Sequence, residues 1–145
     1  MKKPRQRVNA SKRAALTDAD YAVLADFRYA LRKFAAFSEG KAAEHGLTPQ
    51  QHQALLAIRA AGAQATTGHL AERLILKPHS ASELVGRLES LGLIARQASA
   101  ADGRVFILKL SKAATLKLDA LSSTHREEIR RLRPVLGELL AHFED

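Results

Sequence analysis

The stretch Leu88-Glu-Ser-Leu-Gly-Leu-Ile-Ala-Arg96, followed by Asp102-Gly-Arg104, decides the fold of this chain. Gly92 predicts the end of a helix, because glycine readily adopts the left-handed conformation found just past helix ends. The apolar residues that follow predict a short strand, and the Asp-Gly pair predicts a turn into a second strand. A helix, a strand, a charged loop and a strand in this order indicate a winged DNA-binding unit.

The residues before this stretch predict a helix-turn-helix. Thr48 is a good N-cap for one helix, and Gln51 completes a capping box with it. A short helix over His69–Leu74 and a helix from Pro78 to about Leu91 follow, with a brief connection between them. Two helices at this spacing are typical of a helix-turn-helix, in which the second helix enters the major groove. We therefore expect residues 48–110 to form a DNA-binding lobe.

The second helix of that pair offers the candidate contacts with DNA. Residues near its N-terminus are expected to face base edges, and small hydroxyl side chains suit a close approach. These candidates are Lys77, His79, Ser80, Ser82 and Arg87. Two alternatives stay open: Ser80-Ala-Ser-Glu83 also matches a capping box, and Arg87 also fits a solvated face.

The hairpin carries two further candidates, Asp102 and Arg104. The strands are expected at about 93–97 and 104–110, because these segments are rich in apolar and β-branched residues. An arginine at a hairpin tip can enter a narrow minor groove, and a neighbouring carboxylate can orient it by a bidentate bond. The alternative is a plain Asp-Gly turn with an incidental arginine.

Long amphipathic helices are predicted at both ends of the chain. One begins at Thr17-Asp-Ala-Asp20 and runs to about Glu44, and the other follows Ser111, with Pro134 allowing a break or a kink. Their apolar stripes are longer than the lobe needs. A second copy of the chain would cover them, since most soluble oligomers are symmetric homo-oligomers. The alternative is that the two helices only pack on each other within one chain.

The charge of the chain is uneven. The 145 residues have a formal net charge of +8, and residues 1–13 contain six basic residues and no acidic one. We expect residues 1–16 to be a disordered basic arm, either simply solvated or binding phosphates without sequence preference. Residues 17–145 are expected to form a single domain.

Composition excludes several classes of protein. The absence of cysteine excludes disulfides, thiolate metal sites and thiol redox sensing. An aromatic content of 5% without tryptophan favours packed helices over a β-sandwich. No secretory signal or membrane-length apolar run is found, so we expect a cytoplasmic protein that does not interact with membranes. No motif for a catalytic site, metal or cofactor is found either, so an enzyme is not expected.

Taken together, these segments resemble the MarR (multiple antibiotic resistance regulator) family of winged-helix regulators over residues 20–145. The resemblance rests on the segments Gly46-Leu-Thr-Pro-Gln-Gln51, 80–96 and Asp102-Gly-Arg104. It implies a mainly α fold with a small β-hairpin wing, and a homodimer formed through helices 17–45 and 111–145. It also implies binding to a palindromic double-stranded DNA operator, with Arg104 in the minor groove and Asp102 as its support.

The resemblance further implies a repressor that releases DNA when a small aromatic or phenolic ligand binds. Four residues on or just after the first helix are candidates for such a pocket, because an arginine beside aromatic rings suits an aromatic carboxylate. They are Tyr29, Arg32, Phe37 and His45. His125 interrupts the last apolar stripe and is interpreted as a hydrogen-bonded interior histidine rather than a ligand-binding or pH-sensing group. A winged-helix module for protein–protein contact, without ligand control, is the alternative function.

Overall fold

Helices α1 to α5 and a two-stranded hairpin make up the described part of the chain, residues 15–143, in a computed structural model. In chain order they are α1 (Asp18–Glu44), α2 (Pro49–Ala61), a 3-10 turn (Gly62–Gln64), α3 (Thr67–Leu74), α4 (Pro78–Ser90), β1 (Ile94–Ala98), β2 (Phe106–Leu110) and α5 (Lys112–His142). The predicted fold class, mainly α with a small hairpin, is confirmed. The predicted basic arm, 1–16, lies outside the described residues except for its last two positions.

Hydroxyl side chains begin most of the helices, as predicted. Thr17 and Thr48 each form a full capping box, and Thr66 and Ser111 each accept a hydrogen bond from the backbone three residues on. Such bonds satisfy backbone N–H groups that have no partner inside the helix. The sequence therefore sets where these helices begin.

Helix α4 is the exception, and it resolves an alternative left open by the sequence. Its N-cap is Lys77, which makes no side-chain capping bond, and Pro78 is the first helical residue. Proline suits this position because its fixed φ is helical and its missing N–H is not needed. Ser80 and Glu83 therefore lie inside the helix, and the capping box that they could have formed is absent.

The core lies in the lobe formed by α2, α3, α4 and the hairpin. Leucines and a valine from all of these elements are almost fully buried: Leu55, Leu70, Val85, Leu88 and Leu108. The first half of α5 joins this core through Leu118 and Leu121. The core thus fixes the orientation of α4 and connects the lobe to the C-terminal helix.

The first strand keeps its predicted length but is shifted by one residue, to Ile94–Ala98, and the second is two residues shorter than predicted. Arg96 pairs with Leu108 in the antiparallel register, and the Leu108 N–H bonds the carbonyl of Ala65, 2.7 Å away. Leu93 was expected in the first strand, but its backbone N–H donates a hydrogen bond to the Leu88 carbonyl and so closes the end of α4. Val105 belongs to the loop, because its N–H bonds the Asp102 carbonyl.

Helices α1 and α5 run antiparallel against each other. Asp20, near the start of α1, meets His142 at the end of α5, with 2.6 Å between Oδ1 and Nε2. Further along, the His125 Nε2 atom lies 2.8 Å from the Ser38 hydroxyl. Helix α5 passes through Pro134 without a break. The position is exposed, so water can satisfy the carbonyl that loses its partner.

The turn between α3 and α4 contains an unusual residue. Ile75 has a φ of 55° and a ψ of 49°, and it is the only non-glycine residue with positive φ in the described chain. Its side chain is 93% exposed. A left-handed conformation costs an L-residue about 1–2 kcal/mol, and β-branched residues rarely adopt it. Since the exposed side chain makes little packing contact, the strain is not offset locally.

Ile75→Gly is therefore expected to raise the free energy of unfolding by about 1 kcal/mol. Glycine removes the strain of the left-handed conformation, but this gain is partly offset because glycine loses more conformational entropy on folding. Urea denaturation followed by circular dichroism would measure the change. Ile75→Ala is the matched control, because it removes the β-branch but keeps the Cβ, and it should give a smaller gain. A stability that stays the same or falls in Ile75→Gly would contradict this account.

Candidate nucleic-acid interface and interhelical cavity

Helix α4 has one buried face and one face open to solvent. The buried face consists of Ala81, Leu84, Val85 and Leu88. At 100° per residue, helical geometry puts His79, Glu83 and Gly86 on the opposite side. A helix held by its apolar side, with small and polar side chains outward, is suited to lie in a major groove.

The five candidates from α4 and its N-cap do not all have the same surroundings. Lys77, His79 and Ser82 are exposed, whereas Ser80 is half-buried. Arg87 is also exposed but lies on the flank of the helix, where it borders a small polar groove against the start of α2. Lys77, His79, Ser82 and Arg87 are thus open to solvent, with Ser82 and Arg87 on opposite flanks of the helix, whereas Ser80 is only partly accessible.

The wing loop is held by its own hydrogen bonds. The Oδ1 atom of Asp102 accepts from the backbone N–H of Arg104 at 3.0 Å and from its Nε at 3.3 Å. Arg104 therefore does not make the expected bidentate contact with both carboxylate oxygens. Its backbone N–H and its Nε donate to the same oxygen instead. The Ser99 hydroxyl accepts from the backbone N–H of Ala101, 3.2 Å away. The Arg104 side chain is nevertheless 92% exposed, so its guanidinium is oriented but free to bind.

These bonds also affect the ionisation of Asp102. The backbone N–H of Arg104, and then its side chain, lower the pKa of the Asp102 carboxyl below its usual value. Asp102 is therefore anionic at neutral pH and provides a charged partner for Arg104.

An ion pair between Glu89 and Arg96 links α4 to the wing, and sequence reasoning missed it. The Arg96 Nε lies 3.3 Å from a Glu89 carboxylate oxygen. Both residues are within the segment that decides the fold, but the pairing depends on how β1 leaves the helix. Ser99 was also missed, although a serine before a turn is a recognised signal for such backbone bonding.

A cavity of about 650 Å³ lies between α1, α2 and α5. Aromatic, apolar and polar side chains line it, among them Phe34, Ser38, His52, Leu56, His125 and Arg126. Pockets of this size accept small organic molecules when apolar walls surround a few polar groups. The cavity is bordered both by the long end helices and by the first helix of the lobe.

Two histidines are among the polar residues that line this cavity. The rings of His52 and His125 are 5.0 Å apart between centroids. His125 Nδ1 lies 2.8 Å from the Leu121 carbonyl, which can only accept, so this nitrogen carries a hydrogen. His125 is thus hydrogen-bonded, as the sequence predicted, but it is half-buried and lines the cavity. Burial lowers the pKa of His52, and positive charge on His125 and then His45 lowers it further.

The four residues predicted to bind an effector do not line this cavity. Tyr29 and Arg32 are exposed, and Lys33 lies over the Tyr29 ring. Phe37 packs edge-on against His125, and the His45 Nδ1 atom lies 3.0 Å from the Lys41 carbonyl. Phe37 therefore supports the wall of the cavity from behind. The lining residues come from three helices, and no local sequence signal could have grouped them.

Comparisons with known proteins bear on the family and the fold of the chain. Residues 45–105 match the model of the MarR family. A probable transcriptional regulator from Pseudomonas aeruginosa is 30% identical, with a TM-score of 0.57, and the match covers 79% of this chain and 93% of that one. No curated protein matches the chain in sequence.

More distant solved structures share the fold. A MarR family protein from Bacillus stearothermophilus has a TM-score of 0.70 at 21% identity, covering 90% of this chain and 100% of that one. A point mutant of S. aureus MepR, bound to an oligodeoxyribonucleotide, has a TM-score of 0.64 at 21% identity, covering 88% and 99%. The described helices include none with an apolar stretch that would reach across a bilayer.

The lowered pKa of His52 predicts a pH effect on stability. The folded protein holds this proton less tightly than the unfolded chain, so the free energy of unfolding falls as pH drops below the unfolded pKa, about 6.5. Denaturation at about pH 7.5 and about pH 5.5 should show a smaller loss in His52→Gln than in the wild type. The exposed His79→Gln is the control and should behave as the wild type. Equal losses in all three proteins would contradict the prediction.

Proposed function

Because the chain belongs to the MarR family of transcription regulators, we propose that it is a homodimeric, sequence-specific DNA-binding repressor. It binds a palindromic operator and releases it when a small aromatic or phenolic ligand binds. The observation that supports the proposal is a pair of exposed elements in one lobe: the open face of α4 and the exposed, carboxylate-oriented Arg104 of the wing.

In this proposal α4 lies in the major groove and the wing follows the DNA backbone to the minor groove. Lys77, His79 and Ser82 contact bases or phosphates from the first turns of α4, with Ser80 and Arg87 at the edge. Arg104 enters the minor groove, where the negative potential is strongest when the groove is narrow. Asp102 keeps the guanidinium extended.

The end helices support the dimer. Within one chain, α1 packs on α5, yet large apolar side chains of the two helices and of the α5 C-cap remain 38% to 65% exposed: Leu31, Ile129, Leu136, Leu140 and the C-cap residue Phe143. Packing within one chain therefore does not account for the apolar stripes. A second copy related by a two-fold axis would cover them and would place two wings on a palindrome.

The cavity between α1, α2 and α5 supports ligand control. A ligand there would touch the dimerisation helices through Phe34 and His125, and the DNA-binding lobe through His52 and Leu56. Arg126 at the cavity wall is suited to a carboxylate, and the apolar side chains to an aromatic ring. Binding would change the angle between lobe and dimer, and with it the spacing of the two α4 helices.

A protein–protein interaction module without ligand control is the second candidate function. The exposed Phe106 and Val105 beside the wing tip favour it, because exposed apolar side chains occur at protein interfaces. Binding to genomic DNA fragments at physiological salt separates the two. Sequence-specific binding supports the repressor, and its absence supports the module.

Arg104→Ala is expected to weaken operator binding by about 1–3 kcal/mol, the value of a good specific contact. The operator would first be mapped by genome-wide footprinting, and the affinity would then be measured by fluorescence anisotropy. Arg28→Ala on α1 is the control, since this exposed arginine lies outside the lobe. Unchanged affinity in Arg104→Ala would remove the wing from the interface.

Benzoate serves as the probe for ligand control. It is expected to release the wild-type protein from its operator, and Arg126→Gln should need a roughly tenfold higher concentration because a charge-assisted hydrogen bond is lost. Benzamide, which has no charge, should act equally on both proteins. Failure of benzoate to release DNA at any millimolar concentration would argue against an arylcarboxylate effector, without affecting the DNA-binding proposal.

A further inference from the structure

Glu83 has no structural task in the folded chain. It is exposed on α4, and it forms no hydrogen bond and no ion pair with any described residue. The sequence suggested one structural role for Glu83, a capping box with Ser80, but this capping box does not form because the helix begins at Pro78. The helical neighbours that could neutralise it are His79 and Arg87, one turn before and one turn after, and neither lies within ion-pair distance in the described chain.

The position of Glu83 makes its charge costly when DNA binds. It lies on the side of α4 away from Val85 and Leu88, which face the core, and it borders the small polar groove that Arg87 also lines. In a major groove, this side faces base edges between two rows of phosphates, so a carboxylate is repelled unless a base offers it a donor. A carboxylate at this point therefore opposes binding to most sequences and favours only those that satisfy it.

The donor can be identified from the chemistry of the base edges. Guanine presents only acceptors in the major groove, and thymine presents an acceptor and a methyl group. Adenine has an amino group, but its N7 acceptor lies beside it and repels a carboxylate. Cytosine presents only its N4 amino group, and a glutamate carboxylate can accept a hydrogen bond from this donor.

We propose that Glu83 is a specificity-determining residue, which reads a cytosine at one position in each half-site of the operator. The proposal rests on the proposed function, because it requires α4 to lie in the major groove. It assigns selectivity to repulsion as well as attraction: Glu83 lowers the affinity for non-cognate DNA and for every other base at its position.

A randomised operator library tests this proposal. Wild-type protein, Glu83→Gln and Glu83→Ala would each be selected against double-stranded DNA randomised around the mapped operator, and the bound sequences counted. The wild type should prefer cytosine by roughly tenfold at one symmetric pair of positions. Glu83→Gln should change this preference to adenine, because the amide can bond both N6 and N7. Glu83→Ala should show no preference there and should bind non-cognate DNA more tightly.

Glu72→Gln is the matched control, since it removes the same charge from an exposed position on α3. It should leave the base preferences unchanged, even if it raises affinity uniformly. Thermal melting of each variant would check that the fold is retained, as expected for exposed positions.

The outcomes are distinguishable. If the wild type selects an operator but both Glu83 variants keep the same base preferences, the inference is overturned and the proposed function stands. A uniform gain in affinity without a change in preference at any position also overturns it, since Glu83 would then act only as a repulsive charge. If the wild type selects no sequence at all, both proposals fail together.

Discussion

The burial of one face of α4 is the constraint on which the rest of this structure depends. Val85 and Leu88 are fully buried, and they pack in the same core as Leu55 of α2 and Leu108 of β2. Once this face is held, helical geometry leaves the opposite face open, and with it the side chains that are available to DNA. The Leu88 carbonyl also accepts from Leu93, so the same helix determines where the hairpin starts.

The two proposed functional surfaces, the wing and the interhelical cavity, differ in how they are held in place. The wing is organised locally, by hydrogen bonds among Ser99, Asp102 and Arg104 within a few residues of chain. The cavity is organised by tertiary contacts, because its walls come from three helices and its two histidines are far apart in sequence. Changes in the packing of α1 and α5 would therefore alter the cavity while leaving the wing intact. This separation agrees with the proposed regulation, in which the DNA contacts stay the same and a ligand in the cavity changes their spacing.

Local patterns accounted for most of the fold. Thr17, Thr48 and Ser111 predicted helix starts correctly, because capping depends on residues within one turn. The start of α4 was correct at Pro78, although the competing capping box could be rejected only once the helix register was known. Strand ends were less accurate, since a strand is defined by its partner, and the closing bonds of the helix and the loop used residues expected in the strands.

The sequence by itself determined the order of elements, the apolar face of α4 and the presence of an Asp-Arg loop at the hairpin tip, because each follows from residues close together in the chain. Only the tertiary structure decided which residues share a cavity: it brings together a pair of histidines from α2 and α5, while Tyr29 and Arg32 lie outside this cavity. Only the structure showed that Glu83 does not take part in a capping box at the start of α4. The physical reason is the same in both cases: local hydrogen bonds and periodicity set an element, but its neighbours are set by how distant apolar faces pack.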